Sequence, residues 1–126
     1  MNPSLFDGIA GVGARLPLLL SRGLARGLPV ERLAEAACAS PARAFGLYPR
    51  KGVIAPGSDA DLLIWDPRAE TVITADTFDD RTGDSVYTGE HLAGRVRDVL
   101  LGGRTLVRQG RFVGTGTAGA YLGRAG

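Results

Sequence analysis

The sequence has very few of the residues that usually build a zinc site or a disulfide, with one histidine and one cysteine in 126 residues. A catalytic zinc site needs about three protein ligands drawn from His, Cys, Asp and Glu. His91 has no second histidine close to it in sequence, so we interpret it as a solvated or structural side chain in a loop. Cys38 has no partner for a disulfide and favours a reducing compartment, hence a cytoplasmic location. We expect Cys38 in the core rather than as a nucleophile.

Lysine is also scarce, since Lys51 is the only one among 15 basic residues. The net charge is +2, but the arginines are scattered and form no basic stripe with interleaved aromatic residues. The one long apolar cluster, Leu16 to Leu20, is far shorter than the roughly 20 residues of a membrane-spanning helix. We therefore expect neither a nucleic-acid partner nor a membrane partner.

No motif assembles a catalytic group of residues. Asp59 and Asp61 could bind a hard cation, but their place just before a strand favours turn formation. The aspartates of residues 79–84 suggest calcium, yet Asp84 stands where an EF-hand loop needs glycine. The glycine-rich stretch from Gly8 to Gly13 follows no strand and precedes no lysine, so we interpret it as a bend. The sequence also lacks a G-x-S-x-G and an S-x-x-K motif.

The residues that are present predict a helical first third. Apolar residues at helical spacing predict helices over Arg15 to Leu24 and over Val30 to Cys38. The following stretch "SPARAFG" predicts a second, short helix. There Ser40 would cap the first free amides, Pro41 suits the first helical position, and Gly46 would close the end.

Strand and turn signals begin after Val53. Leu62 to Trp65 and Thr71 to Ala75 are candidate strands, and Arg95 to Leu101 with Arg104 to Arg108 predict a hairpin, because Gly102 and Gly103 suit a two-residue turn. The polar stretch 76–94 predicts a long loop. The glycine-rich tail after Gly110 is expected to be extended or mobile.

The strand from Leu62 to Trp65 is apolar on both faces, which raises the question of what covers it. Successive strand side chains point to opposite faces, so Leu62 and Ile64 share one face while Leu63 and Trp65 share the other. Both faces therefore need burial. The covering groups could lie outside this chain.

Three stretches resemble the C-terminal part of dihydropyrimidinase and D-hydantoinase, in the cyclic amidohydrolase group. They are "GIAGVGARLPLLLSRG", "ASPARAFGLYPRKGVIAPGSDADLLIWDP" and "GRTLVRQGRFVG". The resemblance covers Phe6 to about Leu122. The long middle string is specific, whereas "GSDADLLIWDP" alone is similar to many amidohydrolases, including allantoinases and deacetylases.

The resemblance implies an incomplete α/β fold. Residues 1–50 would be the terminal helices of a metal-dependent (β/α)8 barrel, and residues 51–113 would be the C-terminal strands of a composite β-sandwich. Residues 114–126 would form a glycine-rich tail. The strand from Leu62 to Trp65 would be apolar on both faces because an N-terminal segment, absent from this chain, supplies its neighbours.

The resemblance also implies where the chemistry lies. The family uses two divalent metals, usually zinc, to activate a hydroxide that attacks the ring carbonyl of a cyclic amide. Their ligands precede the region present here, so we expect no metal ligand, no catalytic residue and no cofactor in this chain alone. Asp7 stands where the family places an asparagine that contacts the substrate, largely through its main chain. Asp7 is therefore the one candidate substrate-binding residue.

Three functional interpretations stay open at this point. The chain could be a C-terminal fragment of a hydrolase that opens cyclic amide rings, inactive alone. It could be a complementing subunit of a split enzyme, with a companion chain that carries the metals. It could also be a non-catalytic binding or scaffold module. We expect the missing barrel portion or the companion chain as partner, and a homo-oligomer in the complete enzyme.

Overall fold

A computed structural model describes residues 11–74, 76–77, 85–115 and 119–123 of the chain. Helices precede an antiparallel sheet, as the sequence predicts. The helical elements are α1 (Arg15–Ala25), α2 (Val30–Ala34), a π-helical turn (Glu35–Ala39) and α3 (Ser40–Ala44). The strands are β1 (Leu62–Val72), β2 (His91–Leu101), β3 (Arg104–Arg108) and β4 (Arg111–Phe112).

Helix α1 confirms the prediction for this stretch to within one residue at its end. Pro17 lies in the first turn, where its missing N–H breaks no intrahelical hydrogen bond. Gly27 follows the helix with a φ of 75°, a left-handed conformation that favours glycine. Leu18 and Ser21 are buried and turn this face of the helix toward the sheet.

The predicted break before Ser40 is wrong, because α2, the π-helical turn and α3 run on without interruption. Ala39 and Ser40 both have right-handed helical dihedrals, and Ser40 caps no amide. Its hydroxyl instead donates to the Glu35 carboxylate at 3.3 Å. The π-helical turn ends two residues before Pro41, whose missing N–H would not be tolerated in the interior of an α-helix. Gly46, with a φ of 69°, closes the segment as predicted.

The four strands form one sheet in the order β1-β2-β3-β4, and each pair is antiparallel. The predicted hairpin is confirmed, since β2 and β3 pair across Gly102 and Gly103. Both glycines have positive φ, 54° and 79°, as a two-residue turn that follows strand twist requires. Strand β1 forms one edge of this sheet.

The second candidate strand, from Thr71 to Ala75, does not exist as a separate element. Thr71 and Val72 continue β1, while Ile73 and Thr74 follow it and Ala75 lies outside the described residues. Strand β1 passes through Pro67 because the register shifts there: Asp66 pairs with Arg95 and Glu70 pairs with Ala93. Proline is tolerated in such a bulge because no ladder hydrogen bond needs its N–H.

One other predicted boundary was wrong. Strand β2 begins at His91, so His91 lies in a strand rather than in the predicted loop. The stretch after Gly110 starts with β4, which pairs Arg111 and Phe112 with β3 and agrees with the predicted extended conformation. The intervening turn is left-handed at Gln109 and at Gly110, with φ of 51° and 76°.

The core joins α1 to the sheet. Ala14, just before α1, and Leu18 of α1 pack with Ile73 and Leu92, which are 0% and 2% exposed, and Tyr87 lies beside them. The Ser21 hydroxyl accepts a hydrogen bond from the Ala93 amide at 2.9 Å, which gives this buried hydroxyl a partner. Within the described ranges, no helix is long and apolar enough to cross a bilayer.

Candidate functional site

Four charged side chains meet where the loop after α3 approaches the start of β1. The Lys51 ammonium lies 2.9 Å from the Asp59 carboxylate and also pairs with Asp61. The Arg50 guanidinium lies 3.0 Å from the same Asp59 oxygen. We call these four residues the Lys51 cluster. Asp59 and Asp61 thus pair with cations of this chain, which agrees with the turn interpretation rather than with a cation site.

Backbone hydrogen bonds hold the turn that carries this cluster. The Asp59 amide donates to the Arg50 carbonyl at 2.9 Å, and the Ser58 hydroxyl donates to the Pro49 carbonyl at 2.8 Å. The two carboxylates are therefore presented to Lys51 by a closed loop. Lys51 is the residue that sequence reasoning missed, and its signal was that it is the only lysine in the chain.

Asp61 also connects this loop to the sheet. One of its carboxylate oxygens accepts the Gly102 amide at 2.7 Å, and the other pairs with Lys51. Beside this contact, the Gly103 amide donates to the Ala60 carbonyl at 2.9 Å. The two-glycine turn of the β2–β3 hairpin is therefore attached to the loop by two hydrogen bonds.

Lys51, Asp59 and Asp61 are ionised at neutral pH. Hydrogen bonds from Lys51, and next from the Gly102 amide, hold the pKa of Asp61 below its usual 3.8. Lys51 likewise lowers the pKa of Asp59, and the two carboxylates raise the pKa of Lys51 above 10.5. Groups with such pKa values exchange no protons near neutral pH, so the Lys51 cluster has a structural role rather than that of an acid–base pair.

His91 pairs with a carboxylate and belongs to no group of metal ligands among the described residues. Its Nδ1 lies 2.9 Å from the Glu70 carboxylate across the β1–β2 pair, and both side chains are largely exposed. Within the described part of the chain, no group of three His, Cys, Asp or Glu side chains lies close enough to hold a metal ion. The structure thus places His91 on the sheet surface.

Of the other candidate site residues, one is exposed and the rest lie outside the described residues. Cys38 is exposed on the π-helical turn, so the expectation of a core cysteine was wrong. The reason is that the helix turns Leu33 and Ala39 inward instead. Asp7, the candidate substrate contact, lies outside the described residues, as do the aspartates of residues 79–84.

The apolar stretch of β1 is incompletely covered on both faces. Leu63 and Ile64, which point to opposite faces, are each 37% exposed. Trp65 is only partly buried, although its ring contacts Gly94 of β2. Native sheets normally cover or charge such an edge, because exposed apolar strands pair with other chains. We call Leu62 to Trp65 the open strand segment.

Comparison with known proteins identifies the family to which the chain is similar. The amidohydrolase family profile matches residues 5–106. The chain is 44% identical to a D-hydantoinase of Streptomyces coelicolor over 119 residues, which is 94% of this chain and 26% of that protein.

Solved structures agree with this match. A D-hydantoinase (dihydropyrimidinase) from Thermus sp. superposes with a TM-score of 0.81 at 39% identity, over 86% of this chain and 24% of that one. An L-hydantoinase (dihydropyrimidinase) from Arthrobacter aurescens superposes with a TM-score of 0.78 at 35% identity, over 85% and 24% of the two chains. The chain spans about a quarter of the length of the relatives it matches.

Proposed function

Because the chain belongs to the amidohydrolase family, we propose that it is the C-terminal part of a hydantoinase-like or dihydropyrimidinase-like hydrolase that opens cyclic amide rings. The observation that carries this proposal is the coverage: 94% of this chain aligns with only 26% of a D-hydantoinase. Matches to a D- and an L-hydantoinase support a cyclic amide as the substrate and leave the preferred enantiomer of that substrate open.

The proposal extends to the place of each segment in the complete enzyme. Residues 1–50 would contribute the last helices of a (β/α)8 barrel, residues 51–113 strands of a composite sandwich, and residues 114–126 a glycine-rich tail. The helices-first order and the open strand segment support this division. A strand that is incompletely covered on both faces is expected where neighbouring strands and a facing sheet come from another part of the protein.

The described residues do not fit a metal site, since His91 pairs with Glu70 and no cluster of three ligands is present among them. We propose that the residues that bind the metals lie in the remaining three-quarters of the enzyme. This chain alone would then lack an activated nucleophile, and its own role would be to complete the fold around the site.

Two arrangements supply that remainder, on the same polypeptide or as a companion chain. The open strand segment favours both over a free-standing module, because a module would need its own cover for Leu63 and Ile64. Asp7 would contact the substrate in the completed site, largely through its main chain. This role rests on its position in the family motif.

Co-expression tests the proposal. The chain is produced with the N-terminal three-quarters of the Streptomyces coelicolor D-hydantoinase, and ring opening of hydantoin and dihydrouracil is measured. We expect turnover from the pair and none from this chain alone, and Asp7→Ala should leave KM nearly unchanged. Turnover by this chain alone would contradict the fragment proposal, and a large rise in KM for Asp7→Ala would contradict the main-chain contact.

A further inference from the structure

The helices reach the sheet by two different routes. Helix α1 packs directly on β2, with Ser21 bonded to the Ala93 amide. The second helical segment, from α2 to α3, packs mainly on itself and on α1. Its other connection to the strands is the loop that carries the Lys51 cluster. The position of this segment relative to the β2–β3 hairpin therefore depends on that loop together with α1.

The loop is attached at both of its ends. On the helical side, Gly52 lies so close to the helix that an added Cβ would be 2.6 Å from the Ala42 Cβ and 2.8 Å from the Cys38 carbonyl oxygen. Gly52 also has a φ of 85°, which favours glycine. On the sheet side, Asp61 accepts the Gly102 amide. A continuous path of contacts thus runs from the π-helical turn to the hairpin.

We propose that Asp61 is a positioning residue, a strap that fixes the second helical segment against the β2–β3 hairpin. Its two carboxylate oxygens serve two partners, Lys51 on the helical side and Gly102 on the sheet side. Asparagine has one acceptor oxygen only, and its NH2 group would face the Lys51 ammonium, donor against donor. The strap therefore needs a carboxylate. In the complete enzyme, the strap would fix the helices of the barrel relative to the strands of the sandwich. This last step rests on the proposed function.

A distance measurement on the full chain tests the strap. Cys38, the only cysteine, is exposed on the helical side, and Arg95→Cys adds a second exposed label on β2. Spin labels on both sites report the distance between the helical segment and the sheet. An excess of unlabelled chain suppresses signals between molecules. In the chain that keeps Asp61 we expect one narrow distribution of distances between the labels. In Asp61→Ala, and in the milder variant Asp61→Asn, this distribution should become broad.

Asp98 provides the matched control. Its carboxylate accepts the Gln109 amide at 2.9 Å and pairs with Arg97 at 2.7 Å, so it makes the same kinds of bond within the sheet alone. Asp98→Ala should keep the narrow distance. The fluorescence of Trp65, the only tryptophan, shows whether each variant still folds. A folded Asp61→Asn with the narrow distance, or equal broadening in the Asp98 variant, would overturn the strap. Neither outcome depends on catalysis, so failure of the strap is separate from failure of the proposed function.

Discussion

The indole ring of Trp65 lies directly over Gly94 of the neighbouring strand. A Cβ added to Gly94 would stand 2.1 Å from a ring carbon of Trp65, and Gly94 has a φ of 87°. Trp65 Nε1 is buried there without a hydrogen-bond acceptor among the described residues. The ring is thus held by contact with the backbone of β2 rather than by a polar partner.

This contact predicts that Gly94→Ala destabilises the sheet. The added methyl group must displace the ring, and overpacking of this kind costs about 1–3 kcal/mol. Gly89→Ala is the matched control, because Gly89 has a φ of 88° but no atom within 4 Å of its added Cβ. Urea unfolding of the dilute chain is followed by Trp65 fluorescence. The free energy of unfolding should fall clearly more for Gly94→Ala than for Gly89→Ala. Equal losses of stability would mean that the clash with the ring adds nothing to the cost of placing alanine at a positive φ.

The sequence predicted the elements whose signals are local. The periodicity of α1 and the glycine pair at 102 and 103 each specify their structure within a few residues. The bulge at Pro67 could not be predicted, because it depends on which β2 residues lie opposite. The sequence alone also suggested that Trp65 faces missing neighbours, whereas its ring contacts Gly94 of this chain. Leu63 and Ile64 are therefore better reporters of a missing partner.

The Lys51 cluster was partly predictable. The position of Asp59 and Asp61 before a strand indicates a turn, and the structure agrees. The contacts of Asp61 with Lys51 and with Gly102 join residues 10 and 41 positions apart. No local pattern encodes such pairings, because they depend on how the loop folds back on the hairpin.

Asp61 should make the stability of the chain pH-dependent. Its folded pKa is lowered below 3.8, so its contribution is fully present above 3.8 and is lost as the pH falls through the folded value. Asp61→Asn should therefore have a lower urea midpoint than the unmodified chain at neutral pH. The two midpoints should converge below the folded pKa. A difference that stays constant across this range would contradict the ion-pair origin.

The open strand segment predicts that the isolated chain self-associates and binds a hydrophobic dye. Ile64→Lys should reduce both, because a charge on an edge strand opposes pairing with another chain. Ile54→Lys is the control. The Ile54 side chain is more exposed than that of Ile64, 86% against 37%, but it lies in a loop rather than on an edge strand. Analytical ultracentrifugation and dye fluorescence measure the effect. If exposed apolar area alone governs association, Ile54→Lys will have the larger effect and the edge interpretation will be wrong.

The isolated chain should bind no stoichiometric zinc. His91 and Glu70 offer only two exposed donors, and a stable zinc site needs about three or four protein ligands. Elemental analysis of dialysed chain should give far less than one zinc per molecule, with no change in His91→Ala. One or more bound zinc ions, lost on replacement of His91, would contradict this expectation.

The fragment proposal is best tested with a chimera in which this chain replaces the matching quarter of the Streptomyces coelicolor D-hydantoinase. Because both parts then lie on one polypeptide, the test does not depend on docking between separate chains. We predict that the chimera hydrolyses hydantoin or dihydrouracil and that His91→Ala retains this activity. Ile64→Asp should abolish it, because an unpaired charge in a buried apolar interface costs several kcal/mol. A folded, metal-loaded chimera without turnover on either ring, or one whose turnover survives Ile64→Asp, would contradict the account.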